Sequence, residues 1–353
     1  MKIIHCADLH LDSRMESNLP PEKAKERRME LYLSFADMVG YAKENGVRVI
    51  MIAGDMFDTK NGQIRIRNRV LELISDTPQI DFLYLKGNHD GAYFFDEDKR
   101  PDNLKLFSGE WGRYSYGCVD IYGCEECADM YSSFSADEGR TNIVMLHGQE
   151  VSGNVTGTEL INIPAMRGRG IDYLALGHIH SYRCGKIDDR GIYCYCGCLE
   201  GRGFDECGEK GFVLLDADEN GVRHSFIPFA RRLLHTVEIP LEGYMTGTQI
   251  IEHIEGAVSD IPSKDMVKLV LTGEIDERTD IDAAFILSRL SRFYFIKLYD
   301  QTEIMIDYED YAKDISLKGE FIRLVGEQDI DEDRKREIII TGIRALAGRE
   351  IDI

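Results

Sequence analysis

Short runs of β-branched and aliphatic residues repeatedly precede clusters of glycine, histidine and acidic residues along this chain. The first three runs cover 2–7, 47–53 and 80–85, and helical patterns cover 21–45 and 63–75 between them. Near-continuous apolar strands that alternate with helices are typical of a sheet that is buried on both faces. The pattern therefore predicts an α/β fold.

Later β-like runs, which are spaced more like hairpins, extend this pattern over 118–123, 142–146, 172–176, 191–196, 211–217 and 223–229. They favour further antiparallel pairs, so we predict a two-sheet β-sandwich flanked by helices over residues 1–230. Mixed helical and β-like segments over 231–300 predict a smaller α+β capping domain. The segment 301–353 is predicted to be helical, with Asp331 as the N-cap of its last helix.

The composition is that of a globular protein, with 353 residues of which 43% are hydrophobic and 30% charged. No apolar run reaches the roughly 18–20 residues needed to cross a bilayer. His5 and Asp8 interrupt the stretch in which a signal peptide would have its apolar region. Nine cysteines in a chain with no predicted signal peptide fit a reducing compartment, so we expect a cytoplasmic protein. Their odd number argues against a complete set of disulfides. The net charge of −21 disfavours nonspecific binding to nucleic acid, so a polyanion site needs local cations or metal.

Five polar clusters stand at the predicted carboxyl ends of strands, where α/β sheets bind their ligands. They are Asp8-Leu9-His10, Gly54-Asp55-Met56-Phe57-Asp58, Gly87-Asn88-His89-Asp90, His147-Gly148 and Gly177-His178-Ile179-His180. Imidazole, carboxylate and amide ligands together suit Mn, Fe or Zn better than Mg alone. A carboxylate such as Asp55 can bridge two ions about 3.5–4 Å apart, the arrangement used to displace phosphoesters. Each cluster alone is an ordinary turn, but five in this order indicate a metal site.

These clusters resemble the calcineurin-like metallophosphoesterase superfamily, whose pattern is D-x-H, G-D, G-N-H-D/E, H and G-H-x-H. The resemblance covers residues 1 to about 230. The segments 5–12, 54–58 and 197–206, with the appended small domain, look like its branch of DNA double-strand-break repair exonucleases. Members of that branch are the nuclease subunits of nuclease–ATPase repair complexes.

The resemblance implies two divalent metal ions, Mn²⁺ first with Fe or Zn as alternatives. One ion would be held by Asp8, His10, Asp55 and His180, and the second by Asp55, Asn88, His147 and His178. His89 is implied beside the scissile phosphate, where it assists the leaving group while a metal-bound hydroxide attacks phosphorus. Asp90 is predicted to orient His89 or a ligand. The predicted cationic contacts with DNA are Arg167, Arg169 and Arg202.

The leading functional hypothesis is a two-metal phosphodiesterase acting on DNA in repair, by resemblance a 3′-to-5′ exonuclease and single-strand endonuclease. The alternative, which the net acidity favours, is a metal-dependent phosphatase or phosphodiesterase on small molecules or phosphoproteins. A third hypothesis is a non-catalytic scaffold for a partner ATPase. The resemblance also implies single-stranded DNA or DNA ends as a partner, a coiled-coil ATPase on the C-terminal helices, and a homodimer. No membrane partner is expected.

Three further patterns have ordinary explanations, and two of them also have a functional one. Cys124 and Cys127 have the spacing of half a zinc site, but no second pair of this kind follows. The aromatic run 93–95 follows the third cluster and is suited to stacking on bases, although packing is the default expectation. The alternating Cys194, Cys196 and Cys198 are expected to pack as small hydrophobes.

Overall fold

The computed structural model describes residues 1–15, 19–58, 64–91, 99–125, 134–153, 159–305 and 314–346. The chain divides into two compact units, Met1–His235 and Thr236–Ile353. In chain order, the first unit contains β1 (Lys2–Cys6), α1 (Pro21–Glu44), β2 (Val47–Ala53), α2 (Ile64–Ser75), β3 (Asp81–Leu85), β4 (Leu104–Leu106), β5 (Gly112–Tyr116), β6 (Val119–Gly123), β7 (Thr141–His147), β8 (Gln149–Val151), β9 (Leu160–Asn162), α3 (Ile163–Met166), β10 (Tyr173–Gly177), β11 (Arg183–Lys186), β12 (Ile192–Tyr195), β13 (Gly211–Asp218) and β14 (Gly221–Pro228).

The first unit is built from two six-stranded sheets. One has the order β14-β13-β1-β2-β3-β4 and the other β11-β12-β10-β7-β6-β5. In the first sheet β1 to β4 are parallel, and β13 and β14 continue it in antiparallel fashion. In the second sheet β12, β10, β7 and β6 are parallel, with antiparallel strands at both edges. The carboxyl ends of the parallel strands of each sheet therefore meet at one edge.

Both faces of the first sheet are buried, which explains the continuous apolar runs of its central strands. Its inner face packs on the second sheet, with Ile3 and Val49 in the same cluster as Ile143. On its outer face, Phe35 of α1 and Val70 of α2 belong to a second apolar cluster. Helices on the outside and two sheets within confirm the predicted sandwich flanked by helices.

A buried ion pair anchors α1 to the loop that follows β12. Arg27 is fully buried, and its Nη2 lies 3.2 Å from Glu200 Oε2 and 2.7 Å from the carbonyl oxygen of Gly201. The other oxygen of Glu200 accepts hydrogen bonds from the Ser34 hydroxyl at 2.7 Å and from the backbone N–H of Arg231 at 2.6 Å. Each charge in this group therefore has partners, as buried charges require.

The second unit is a smaller α+β assembly. It contains all but the first two residues of β15 (Leu234–Pro240), and then α4 (Gly247–Ala257), β16 (Met266–Thr272), β17 (Glu274–Ile275), α5 (Ala283–Arg289), β18 (Phe295–Asp300), β19 (Glu303–Ile304), α6 (Leu317–Gly326) and α7 (Glu332–Leu346). Strands β15, β16 and β18 form one sheet in that order, and β17 pairs with β19. The apolar face of α4 contributes Ile250 and Ile254 to the same core as Leu269.

The last two helices pack mainly on each other, through Ile322, Val325, Ile339 and Ile343. Asp331 accepts hydrogen bonds from the backbone N–H groups of Asp333 at 2.9 Å and Arg334 at 3.2 Å, so the predicted N-cap is confirmed. None of the helices in the described ranges is long and apolar enough to cross a membrane.

Cys194 is buried in the apolar cluster between the two sheets, as predicted, but the prediction missed its pairing with a second cysteine. Strand β11 has the polar sequence RCGK, which gives no strand signal, yet it pairs with β12 and places Cys184 opposite Cys194. The two form a disulfide, whereas Cys196 and Cys198 are buried free thiols as expected. Cys127 and the aromatic run 93–95 lie outside the described residues.

We expect Arg27→Met to destabilise the first unit by about 3–5 kcal/mol, because it leaves the buried Glu200 carboxylate without its cation. Urea unfolding followed by fluorescence measures this change. Lys25→Met, on the exposed face of the same helix, is the control, with an expected effect within about 0.5 kcal/mol. Equal midpoints for the two variants would contradict a stabilising ion pair.

Candidate metal centre

The loops that follow the parallel strands bring the predicted ligand residues together at one edge. Two groups of side chains place their ligand atoms within 4.8 Å of one another: Asp8, His10 and His180, and Asp8, Asp55 and His147. Asn88 joins the second group, since its Oδ1 lies 3.0 Å from His147 Nε2. The His178 ring lies 5.4 Å from the His147 ring, measured between centroids. All seven predicted ligands therefore converge. Asp8 belongs to both groups, whereas the resemblance gives the shared position to Asp55.

The backbone at this edge adopts conformations that L-residues avoid. Five described non-glycine residues have positive φ, and four of them are predicted ligands, namely Asp8 at 51°, His10 at 43°, Asp55 at 51° and His178 at 96°. Hydrogen bonds from Asp8 N to Gly54 O at 3.1 Å and from His10 N to Asp55 O at 3.0 Å hold the first two loops together. Strain concentrated at one set of polar residues points to a functional site.

Two glycines allow the sheets to approach closely here. Gly54 has φ of 93°, and a Cβ on it would collide with the His147 ring. A Cβ on Gly177 would collide with the carbonyl oxygen of Ala53. The absence of these side chains lets the end of β10 and the end of β2 lie against each other.

Contacts at both ring nitrogens orient His147. Its Nδ1 lies 2.9 Å from the carbonyl oxygen of Ala53 and so carries the hydrogen, while Nε2 lies 3.3 Å from Asp55 Oδ2. Burial opposes protonation of His147, but the hydrogen bond to Asp55 and the charge of Asp8 outweigh it and raise its pKa to about 9. Burial likewise opposes ionisation of Asp55, yet the His147 contact holds the pKa of that carboxyl at about 2. The site thus stabilises positive charge between its carboxylates, as cation binding requires.

His10 offers a second test of fit to a metal. Its Nδ1 lies 2.6 Å from Asp58 Oδ1, and its buried Nε2 has no hydrogen-bond partner among the described residues. An unpaired buried nitrogen is unfavourable, and a metal ion would satisfy it. In the same way His180 Nδ1 lies 2.7 Å from Glu206 Oε1, which leaves its Nε2 for a ligand. A histidine held by a carboxylate is the usual arrangement of a metal ligand.

Asp8 is fixed by the loop after β10. The backbone N–H of His178 donates to its Oδ1 at 2.9 Å and to its Oδ2 at 3.1 Å. Burial raises the pKa of the Asp8 carboxyl, against the opposing charges of His147 and His180. A divalent cation would compensate this desolvation, so the residues present fit the two metals that the resemblance implies.

His89 lies at the rim of this centre. Its side chain is 52% exposed, and its ring centroid is 5.4 Å from that of His10. The backbone N–H of His89 donates to Asp55 Oδ1 at 3.0 Å, which fixes the loop that carries it. An exposed imidazole beside the predicted ligands can reach a bound phosphoester.

Asp90 acts on the backbone. Its carboxylate accepts hydrogen bonds from the N–H groups of Gly87 at 2.9 Å, Phe57 at 3.0 Å and Met56 at 3.3 Å. It therefore ties the loop after β3 to the loop after β2. This contact supports an orienting role through the loop that carries Asn88, whereas the prediction also allowed a direct contact with His89.

The structure does not bring Arg167 and Arg169 to the site. Both precede β10, whereas His178 follows its carboxyl end; at about 3.3 Å per residue, five residues separate the two ends by ~17 Å. The guanidinium of Arg169 donates to the carbonyl oxygen of Phe134 at 2.9 Å, and that of Arg167 to Ile187 at 3.1 Å. Arg167 and Arg169 therefore lie away from this centre, and their contact with DNA stays a prediction.

Arg202, in contrast, lies at the site, but its partners are protein carboxylates. Its Nη2 lies 2.8 Å from Glu206 Oε1 and its Nη1 lies 3.3 Å from Asp58 Oδ1. The prediction assigned no role to Asp58 or Glu206. The available signal was chemical, because histidine ligands need carboxylate partners and both acids stand in the quoted segments.

A cleft of about 320 Å³ opens beside His147 and Asn88. Its described lining consists of Lys86, Gly87, Asn88, Asp90, Glu125, His147 and Glu159. Lys86 Nζ lies 3.1 Å from Glu125 Oε2, so its charge is already balanced within the cleft. The walls are therefore polar and rich in carboxylates.

Comparison with known proteins gives one family and several distant relatives. Residues 1–182 match the calcineurin-like phosphoesterases. The metallophosphoesterase YhaO of Bacillus subtilis (strain 168) is 24% identical over 78% of this chain and 73% of its own length. The DNA double-strand break repair protein Mre11 of Aeropyrum pernix is 24% identical over 68% of this chain and 64% of its own length. Mre11 of Saccharolobus solfataricus is 26% identical, over 61% and 60% respectively.

We expect Asp8→Asn to weaken binding at both metal positions by more than about tenfold, because Asp8 is shared by the two groups and loses a charge. His147→Ala should instead lower the bound Mn²⁺ from two ions per chain to one. Calorimetric titration of metal-free protein measures both effects. Asp260→Asn, at an exposed position, is the control. Two ions bound to Asp8→Asn with unchanged affinity would contradict the assignment.

Proposed function

The chain belongs to the calcineurin-like phosphoesterase family, and we propose that it is a two-metal phosphodiesterase that acts on DNA in repair. The observation that carries the proposal is the convergence of Asp8, Asp55 and His147 with the rim residue His89 at one sheet edge. DNA is proposed as the substrate because two of the distant relatives are DNA double-strand break repair proteins. The proposed polarity, a 3′-to-5′ exonuclease with single-strand endonuclease activity, follows the sequence resemblance.

The proposed ligands hold two divalent cations, for which we propose Mn²⁺. When bound, such a pair neutralises the phosphate and activates water for attack on phosphorus. His89 donates a proton to the leaving sugar oxygen from the exposed rim. Asp90 holds the loops of Asp55 and Asn88 together by accepting hydrogen bonds from three backbone N–H groups.

One observation favours the second candidate, a phosphatase or phosphodiesterase of small molecules or phosphoproteins. The cleft beside His147 carries Asp90, Glu125 and Glu159, and the chain has a net charge of −21. Such acidic walls repel polyanions. A small monoester has only one phosphate, which would bind at the metals, and the rest of the molecule in the cleft can be neutral. The strained ligand loops argue against the third candidate, a scaffold without activity, because binding a partner does not require them.

We also propose the division into a catalytic segment 1–230, a capping segment 231–300 and a partner-binding segment 301–353. Leu324 and Leu346 of the last two helices are 53% and 47% exposed, which supports docking of a coiled-coil ATPase there. A homodimer is proposed on the sequence resemblance, and a cytoplasmic location on the cysteine content.

We expect the purified chain with Mn²⁺ to degrade end-labelled DNA to a ladder of products. His89→Ala should lower the rate by about 10²–10⁴-fold, because the leaving oxygen loses its proton donor, while two Mn²⁺ ions remain bound. His253→Ala, an exposed histidine of the second unit, is the matched control and should keep the wild-type rate.

The same assay with bis-p-nitrophenyl phosphate and p-nitrophenyl phosphate separates the candidates. Hydrolysis of the small esters without DNA cleavage would replace the nuclease by the second candidate. Two bound metals without hydrolysis of any substrate would favour the scaffold. Loss of metal from His89→Ala would refute its role outside the ligand set.

A further inference from the structure

We infer that Arg202 is a positioning residue that fixes two metal-ligating histidines at once. It holds Asp58 and Glu206, the carboxylates that orient His10 and His180. The inference rests on the proposed metal centre and deepens it, because it predicts which of the two ions depends on this arginine. It also replaces the predicted role of Arg202 as a contact with substrate phosphate.

The guanidinium contacts both carboxylates from one place. Its Nη2 and Nε lie 2.8 Å and 3.2 Å from Glu206 Oε1, and its Nη1 lies 3.3 Å and 3.4 Å from the two oxygens of Asp58. The backbone N–H of Arg202 donates to Glu206 Oε2 at 2.7 Å, so both oxygens of that carboxylate are occupied. The side chain of Arg202 is only 20% exposed, which limits competition by water.

Each carboxylate in turn holds one imidazole. Asp58 Oδ1 lies 2.6 Å from Nδ1 of His10, and Glu206 Oε1 lies 2.7 Å from Nδ1 of His180. Accepting carboxylates place the hydrogen on each Nδ1 and leave both Nε2 atoms as donors of a lone pair to a metal. The two rings face one another with centroids 5.2 Å apart. A continuous chain of contacts thus runs from one ligand through Arg202 to the other.

This chain serves only one of the two ligand groups. His10 and His180 form one group with Asp8, whereas the other group joins Asp8 to Asp55 and His147. His147 is oriented independently, through the carbonyl oxygen of Ala53. Loss of Arg202 should therefore affect one ion and spare the other, which a general loss of folding would not do.

The chemistry requires arginine at this position. A guanidinium presents N–H donors in a fixed plane and binds two carboxylates in defined directions, whereas an ammonium is a point charge on a flexible stem. Removing the guanidinium takes away the cation that Asp58 and Glu206 share. Glu206 keeps the backbone N–H of residue 202, but both carboxylates then hold their imidazoles less firmly. Lysine would restore the charge but not the geometry.

The test is a Mn²⁺ titration of metal-free wild type, Arg202→Met and Arg202→Lys by calorimetry. We expect two sites in the wild type. In Arg202→Met one site should keep its affinity and the other should weaken by about 10–100-fold, with Arg202→Lys intermediate. Arg223→Met is the matched control, because Arg223 is an exposed arginine that also pairs with two acids, Asp216 and Asp218.

Two additional measurements keep the inference falsifiable. Thermal unfolding without metal checks that Arg202→Met is folded, and Glu206→Gln should weaken the same single site if it is not. With Co²⁺ as a probe, the visible absorption spectrum should change for one ion of the pair only. Two unchanged sites, or equal weakening of both, would overturn the role of Arg202.

The outcomes separate this inference from the proposed function. A wild type that binds no ion would refute the metal centre itself, whereas two wild-type ions that persist in Arg202→Met would refute only the inference. Weaker binding of single-stranded DNA with unchanged Mn²⁺ affinity would restore Arg202 as a phosphate contact. None of these results depends on which phosphoester the enzyme cleaves.

Discussion

Close packing of the two sheets at the ends of β2 and β10 is the constraint on which the candidate site depends. A hydrogen bond joins His147 Nδ1 to the carbonyl oxygen of Ala53, so the last residue of β7 is held by the last residue of β2. Only glycine fits at positions 54 and 177, where a Cβ would meet the opposite sheet. Because the strands on both sides are parallel, each contributes a loop at the same edge, and the ligands of one site come from five separate segments.

This arrangement stores strain that the rest of the first unit has to offset. Left-handed backbone at Asp8, His10 and Asp55 is unfavourable by roughly 1–3 kcal/mol at each residue. The loops have no freedom to relax, since they follow strands buried on both faces and exchange backbone hydrogen bonds. A rigid core therefore fixes the ligand directions in advance, which favours binding of cations over rearrangement of the loops.

Sequence patterns predicted the parts of this design that are local. Apolar runs such as VRVIMIA are recognisable because burial on both faces removes every polar position but one. The five polar clusters were recognisable because each directly follows such a run. The polar strand β11 and its disulfide were not recognisable from the sequence. The segment RCGK has no apolar pattern, and it becomes a strand only because it pairs with β12. The contact of Arg202 with Asp58 spans 144 positions, and only the folded topology brings these residues together.

The distribution of charge around the candidate metal centre determines how this centre can bind a phosphoester. Arg202 is engaged by Asp58 and Glu206, Lys86 is paired with Glu125, and Arg167 and Arg169 stand at the far end of β10. Arg202 and Lys86 thus serve the protein's own carboxylates, and among the described residues the positive charge offered to a phosphate would come mainly from the two proposed metals. Such a site recognises one phosphate strongly and the rest of a polyanion weakly, because contacts along a DNA backbone require cations spread over several phosphates. The proposal of a DNA substrate therefore requires ends or single strands that bring one phosphodiester to the rim at His89, and a partner that supplies the remaining affinity.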